Sequence, residues 1–195
     1  MAITYPINTP TSIGFANVEF TASNAVAVSS SPFTFKQQVH TYAGQMWSAS
    51  VSIPPVRKDL AEPWVSFLLA LRGQSGTFLL GDPNNTSIRG TATSATATGT
   101  AGSSSITVAM TGTLLAGDYI QLGQGASATL HKVTIDRVGS GTLEIWPAIR
   151  RDISVSEVVV LSNTKGLFRL AGSQQSWSIG DNSAYGIQFD CMEVV

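Results

Sequence analysis

In "QMWSASVSI", residues 45–53, Trp47, Ala49, Val51 and Ile53 alternate without a break with Met46, Ser48, Ser50 and Ser52. A hydrophobic period of two is the mark of a strand with one face buried and the other wet. The same period runs through "FANVEFTA", "AVAVSS" and "FTFKQQVHTY". It predicts an antiparallel, hairpin-connected start with Val18 and Phe20, Val26 and Val28, and Phe33 and Phe35 as inward pairs. The period then changes once. Leu60, Trp64, Phe67, Leu68 and Leu71 recur at helical spacing and predict one amphipathic helix near 59–72. Asp59 is its expected N-cap, with Glu62 completing a capping box, and Gly73 its expected stop. Pro63 lies near enough to the start to forfeit about one intrahelical bond. "TFLLGDP" follows as a short strand closed by Gly81 and an Asp-Pro turn. The fold class expected is therefore mainly β: an antiparallel β-sandwich with one packed α-helix, plus an inserted small β-barrel or sandwich module.

The insert is read from what comes next. Gly90 to Ser105 uses only Gly, Ala, Ser and Thr. Its Thr alternation is compatible with a strand, and its composition with a flexible arm; the tract 90–105 is taken as a tether. Beyond it "ITVAM", "DYIQLG", "LHKVTID", "LEIW" and "EVVVL" are closely spaced strand candidates separated by turn signals, the pattern of a small sandwich or barrel. "GQGASATL" lacks the Lys of a P-loop and reads as a hairpin turn. "GLFRLAG", "SWSIG" and "AYGIQFDCMEVV" then resume period two, with Tyr185, Ile187, Phe189 and Cys191 on one face, and are expected to rejoin the first sheet. The division expected is a core of 1–85 and 165–195 interrupted by a module of 86–164. An insertion of that length is inexpensive because loop closure grows only logarithmically.

Charged residues are 12% of the chain, about half the roughly 25% usual in soluble domains, and the net charge is -1. So weakly charged a surface suits burial against other subunits, and it offers no basic field for nucleic acid or membrane. One cysteine, Cys191, excludes an internal disulfide framework. "MAITYPINTP" has neither a basic n-region nor an apolar h-region, and no apolar run approaches the roughly 20 residues of a membrane span; synthesis in the cytosol without membrane insertion is expected. No catalytic, cofactor-binding or metal-binding residue, and no cofactor, is expected. A nucleophile elbow is absent, and one Cys with His40 and His131 makes no recognisable zinc set. Both histidines lie in strand-like runs. Asp118, Asp136 and Glu144 are the carboxylates that spacing alone leaves open for a paired-acid site. Trp146 and Trp177 are candidate sugar-stacking platforms, against the alternative of core or subunit-interface packing.

The phrases "GQMWSASVSIPPV", "WVSFLLALRGQSGTFLLGDP", "FRLAGSQQSWSI" and "YGIQFD" together resemble the distal tail proteins of long-tailed bacteriophages, including versions labelled minor tail proteins. The resemblance covers the flanks, roughly 1–85 and 164–195. It implies a β-sandwich "belt" with one helix and a homo-hexameric ring at the tail tip. The ring joins the tail tube protein above to the hub or baseplate protein below, with DNA passing through the lumen without specific binding. It also implies a virion location after assembly in the host bacterial cytoplasm, and an added β-rich domain that in some members is similar to carbohydrate-binding modules. The alternatives kept beside it are a tail tube subunit, a host-surface glycan-binding module and, third, a cell-wall enzyme.

Overall fold

The computed structural model describes residues 3–180 and 183–195; Met1 and Ala2, which open the stretch read for a leader, lie outside them. The described residues are mainly β with one α-helix. Its first part forms β1 (Ile7–Asn8), β2 (Asn17–Ser30), β3 (Gln37–Val56), helix α1 (Lys58–Ala70) and β4 (Phe78–Leu80). Next come β5 (Ala95–Gly99), β6 (Ser105–Met110), β7 (Thr113–Leu114), β8 (Tyr119–Leu122), β9 (Thr129–Val133), β10 (Arg137–Val138), β11 (Gly141–Trp146) and β12 (Ile153–Val159). The chain ends with β13 (Gly166–Leu170), β14 (Trp177–Ile179) and β15 (Tyr185–Glu193).

The first sheet runs β1-β4-β13-β15-β3-β2, with β14 attached beside β15. It is mixed, because β1 pairs parallel to β4. The alternation seen in the sequence sets its register: Ile187 lies opposite Ile53, Phe189 opposite Val51 and Cys191 opposite Ala49, all buried on one face. Helix α1 lays Trp64, Phe67 and Leu68 on that face, with Phe67 edge-on to Phe78 at 5.4 Å.

The helix differs from expectation at both ends. Its N-cap is Arg57, with no side-chain cap bond, so the Asp59–Glu62 capping box does not form. The N–H groups of Leu60 and Ala61 both reach the Arg57 carbonyl, which starts the helix before Asp59. Asp59 instead stands in the first turn, where its charge still meets the positive end of the helix dipole. The last helical residue is Ala70, and the turn to left-handed backbone comes at Arg72 (φ 51°), one residue ahead of Gly73 (φ 68°).

The second sheet is antiparallel, in the order β12-β5-β6-β11-β9-β8. It curls so that Gln121 in β8 exchanges both backbone hydrogen bonds with Val160, just past β12, each 3.0 Å long. A two-stranded ribbon of β7 and β10 sits beside it. Here the tether reading is corrected: β5 lies within the Gly/Ala/Ser/Thr tract and is an interior strand of this sheet. Ala95 and Ala97 are buried while Thr96 and Thr98 are not. The small residues are there for space. A Cβ on Gly99 would stand 2.8 Å from Cδ1 of Ile149, and one on Gly90 would stand 2.0 Å from the Thr113 carbonyl oxygen.

Each sheet has its own cluster of buried apolar side chains, and the first cluster also takes in Tyr119 and Leu130 from the second sheet. Phe20 packs near Trp47 and Tyr119, and the Trp47 indole donates to the Leu130 carbonyl at 3.0 Å. The inward face of the first sheet is thus covered by α1 and, around Trp47, by β8 and β9.

Candidate functional site

Beyond that cover, β2 and β3 continue as a two-stranded arm. From Thr21 to Ser30 and from Pro32 to Gly44 every residue is exposed. From Asn24 to Ser30 the arm extends seven residues, roughly 23 Å at 3.3 Å per residue. Two of the expected inward pairs are therefore corrected. Val18 and Phe20 do pack on the core, but Val26 and Val28 are 48% and 58% exposed, and Phe33 and Phe35 are 91% and 81% exposed. The reason is that α1, β8 and β9 reach only as far as Phe20 and Trp47. "FTFK" is not strand but the arm's tip: Ser31 accepts from the Phe35 N–H, Lys36 accepts from the Ser31 N–H, and Phe35 takes φ 54°.

Cross-strand pairing sorts the arm into two faces. Val28 lies opposite Val39 and Val26 opposite Thr41, giving one face an apolar stripe. Ala27 lies opposite His40 and Ser29 opposite Gln38 on the other, where His40 stacks edge-on against Tyr42 at 4.6 Å. Between residues 23 and 46 the one charged side chain is Lys36, at the tip. Both edges of the arm are unpaired among the described residues, since β2 ends the sheet and β15 pairs β3 only from Ser48 to Val56.

No protein-family model matches the chain, and no curated protein matches it.

The two tryptophans singled out in the sequence lie apart. Trp146, at the end of β11, is half-buried; its ring stands edge-on to Trp47 at 4.5 Å, and its N–H donates to Asn24 Oδ1 at 2.7 Å. Its nitrogen and part of its ring are committed within the chain. Trp177, in β14, is half-buried against the first core and borders an open depression of about 420 Å³ lined also by Ser52, Ser176, Ser178 and Gln188.

The carboxylates hold turns. Asp118 is buried and accepts the N–H groups of Arg89, Gly90 and Leu115, with the Arg89 guanidinium alongside at 3.4 Å. Asp136 accepts the Ala116 N–H at 2.6 Å, and Glu144 lies half-buried in β11 opposite Ser105. Among the described residues no three His, Cys, Asp or Glu side chains group as a metal site. The Gly123 region is a hairpin connection between β8 and β9, with a single 3₁₀ turn over Gly125–Ser127. Cys191 is buried, and desolvation pushes its thiol up to about 12, which disfavours the thiolate that nucleophilic chemistry needs.

One charged group was passed over in the sequence. Glu193 is buried, its Oε2 accepting the Trp47 backbone N–H at 3.1 Å and facing Arg150 Nη2 at 3.0 Å. Burial raises its pKa above the usual carboxylate value, outweighing the Trp47 and Arg150 contacts that pull it down. Parity was the available signal. Tyr185, Ile187, Phe189 and Cys191 point inward, so 193 does too.

His131 is fully buried, with Nδ1 2.8 Å from the Pro147 carbonyl and Nε2 2.9 Å from Thr129 Oγ1. Desolvation above all lowers its pKa from 6.5 to about 4. The unfolded chain therefore binds a proton between these values that the folded chain refuses, and stability falls as pH drops through 6.5 toward 4. The loss reaches about 3 kcal/mol at 1.36 kcal/mol per pH unit. Urea unfolding of wild type and His131→Gln at pH 7 and pH 4 should show the steeper acid loss in the wild type; parallel curves would refute it.

Proposed function

We propose that this protein is a structural subunit of a phage tail tip, assembling through its arm into a ring. The ring joins the tail tube to the hub or baseplate. The observation that carries the reading is the exposed arm. A two-stranded hairpin is marginal by itself in water, and a flat sheet edge with apolar side chains invites another strand. Here the free β2 edge of one copy and the free β3 edge of the next are complementary. Because these are different edges, each copy uses one and offers the other, a heterologous contact that closes into a ring when the rotation allows. Closure leaves no edge of the arm unpaired.

The number six, and the tube and hub as neighbours, come from the sequence resemblance. The arm fits a different part of the reading: its face with His40, Gln38 and Ser29 carries no Lys, Arg, Asp or Glu, which suits a lumen through which DNA slides without being held, since phosphate affinity grows with each Lys or Arg contact. The test is the mass of the purified protein by light scattering over a range of concentrations. A species near six times 20.5 kDa supports the ring. A mass fixed at one chain throughout counts against it.

A further inference from the structure

We propose that the segment Trp146–Arg150 of the second sheet is a clamp that sets the direction of the arm, so that a displacement of the inserted sheet is passed to the arm through Asn24 and Gln45. The segment alternates its attachments. Pro147 and Ile149 are buried toward the second sheet: the Pro147 carbonyl meets His131, the Ile149 N–H donates to the Ser103 carbonyl at 3.0 Å, and the Ile149 carbonyl accepts the Gly102 N–H at 2.8 Å. Trp146, Ala148 and Arg150 turn the other way. The Trp146 N–H donates to Asn24 Oδ1 at 2.7 Å, the Ala148 N–H donates to Gln45 Oε1 at 2.7 Å, and Arg150 Nη2 donates to the Gln45 carbonyl.

The place gripped is the root of the arm. Asn24 and Gln45 are the last cross-strand pair before the register breaks; on the far side Val26 pairs with Thr41, so Ala25 faces Tyr42, Ala43 and Gly44. A break of this kind bends and twists the strand that carries the extra residues, and it leaves the ladder weakest there. Without an outside hold the arm's angle is set only by the two backbone strands that cross this break. With the clamp, three bonds from a rigid neighbour fix it. Arg150 also reaches Glu193 at 3.0 Å, which ties the same segment to the body of the first sheet. The clamp rests on the proposed reading only for its consequence, that a pull on the insert reorients the surface through which copies associate.

The experiment reads the arm's angular spread within one chain. Spin labels at Thr34→Cys, on the tip, and Ser154→Cys, on β12, report the distance between arm and insert; both positions are exposed, while buried Cys191 takes no label. Labelled chains diluted among unlabelled ones give this distance whether or not copies associate, so the result stands apart from the ring reading. The double variant Asn24→Ala/Gln45→Ala removes two of the three acceptors and no core side chain. At about 1 kcal/mol per bond the loss of two weakens the held state roughly thirtyfold. The distance distribution should then at least double in width. Trp146→Phe, which keeps an aromatic ring against Trp47 and loses the N–H, should broaden it less. Unchanged widths in both variants would overturn the clamp.

Discussion

Replacing Ala25–Gly44 by Asn-Gly, so that Asn24 and Gln45 close on a tight turn, is expected to leave a folded protein that no longer associates. None of the residues removed is buried, and neither apolar cluster includes any of them, so the variant keeps its cores entire. Asn-Gly favours the two-residue turn whose twist matches paired strands. What is lost is the length of free edge and the apolar stripe of Val26, Val28 and Val39 with Phe33 and Phe35 at the tip. Light scattering should return a single-chain mass at concentrations where the full chain associates, while the far-ultraviolet spectrum keeps its β character. A variant that still assembled would place the interface elsewhere, most simply on the outer, Ser-rich face of the first sheet. A milder version, Phe33→Asp with Phe35→Asp, should weaken association without abolishing the arm.

The arm also shows where reading the sequence stops. Period two identifies a strand and sorts its residues into two faces, but it does not say whether anything covers either face. Ile53 and Val28 carry the same local signal. Ile53 is buried in the cluster that α1 helps to form, and Val28 is exposed because α1, β8 and β9 all fall short of it. The single helix, the return of the last strands to the first sheet and the strand-rich insert were legible for the same reason: each rests on periodicity within one segment. The tract from Gly90 to Ser105 leaves strand and tether both open, because small residues signal flexibility when seen alone. In the fold they are what lets β5 pass close to Ile106 and Ile149. The Arg150–Glu193 pair joins residues 43 apart, and only parity along β15 hinted that its acid was buried.

That pair sets the second large expectation. Arg150→Met leaves Glu193 enclosed with its Trp47 N–H bond but no cation, and breaking a buried pair from one side costs about 3–5 kcal/mol. Against a total stability of roughly 5–15 kcal/mol this is a large fraction. The double variant Arg150→Met/Glu193→Gln should recover most of it, because the amide oxygen still accepts the Trp47 N–H and no charge is left buried. The pH dependence separates this from lost packing. Glu193 has a folded pKa raised above its unfolded value, so its ionisation opposes folding, and the penalty eases as pH falls through the raised value toward the unfolded one. Removing Arg150 raises that folded value further. The gap between the single and double variants in urea unfolding should accordingly be wide at pH 7 and narrower at pH 5. A double variant no more stable than the single one at either pH would mean that the Arg150 side chain matters for its bulk, as packing between the two sheets. The joint that carries the clamp would then be apolar rather than electrostatic.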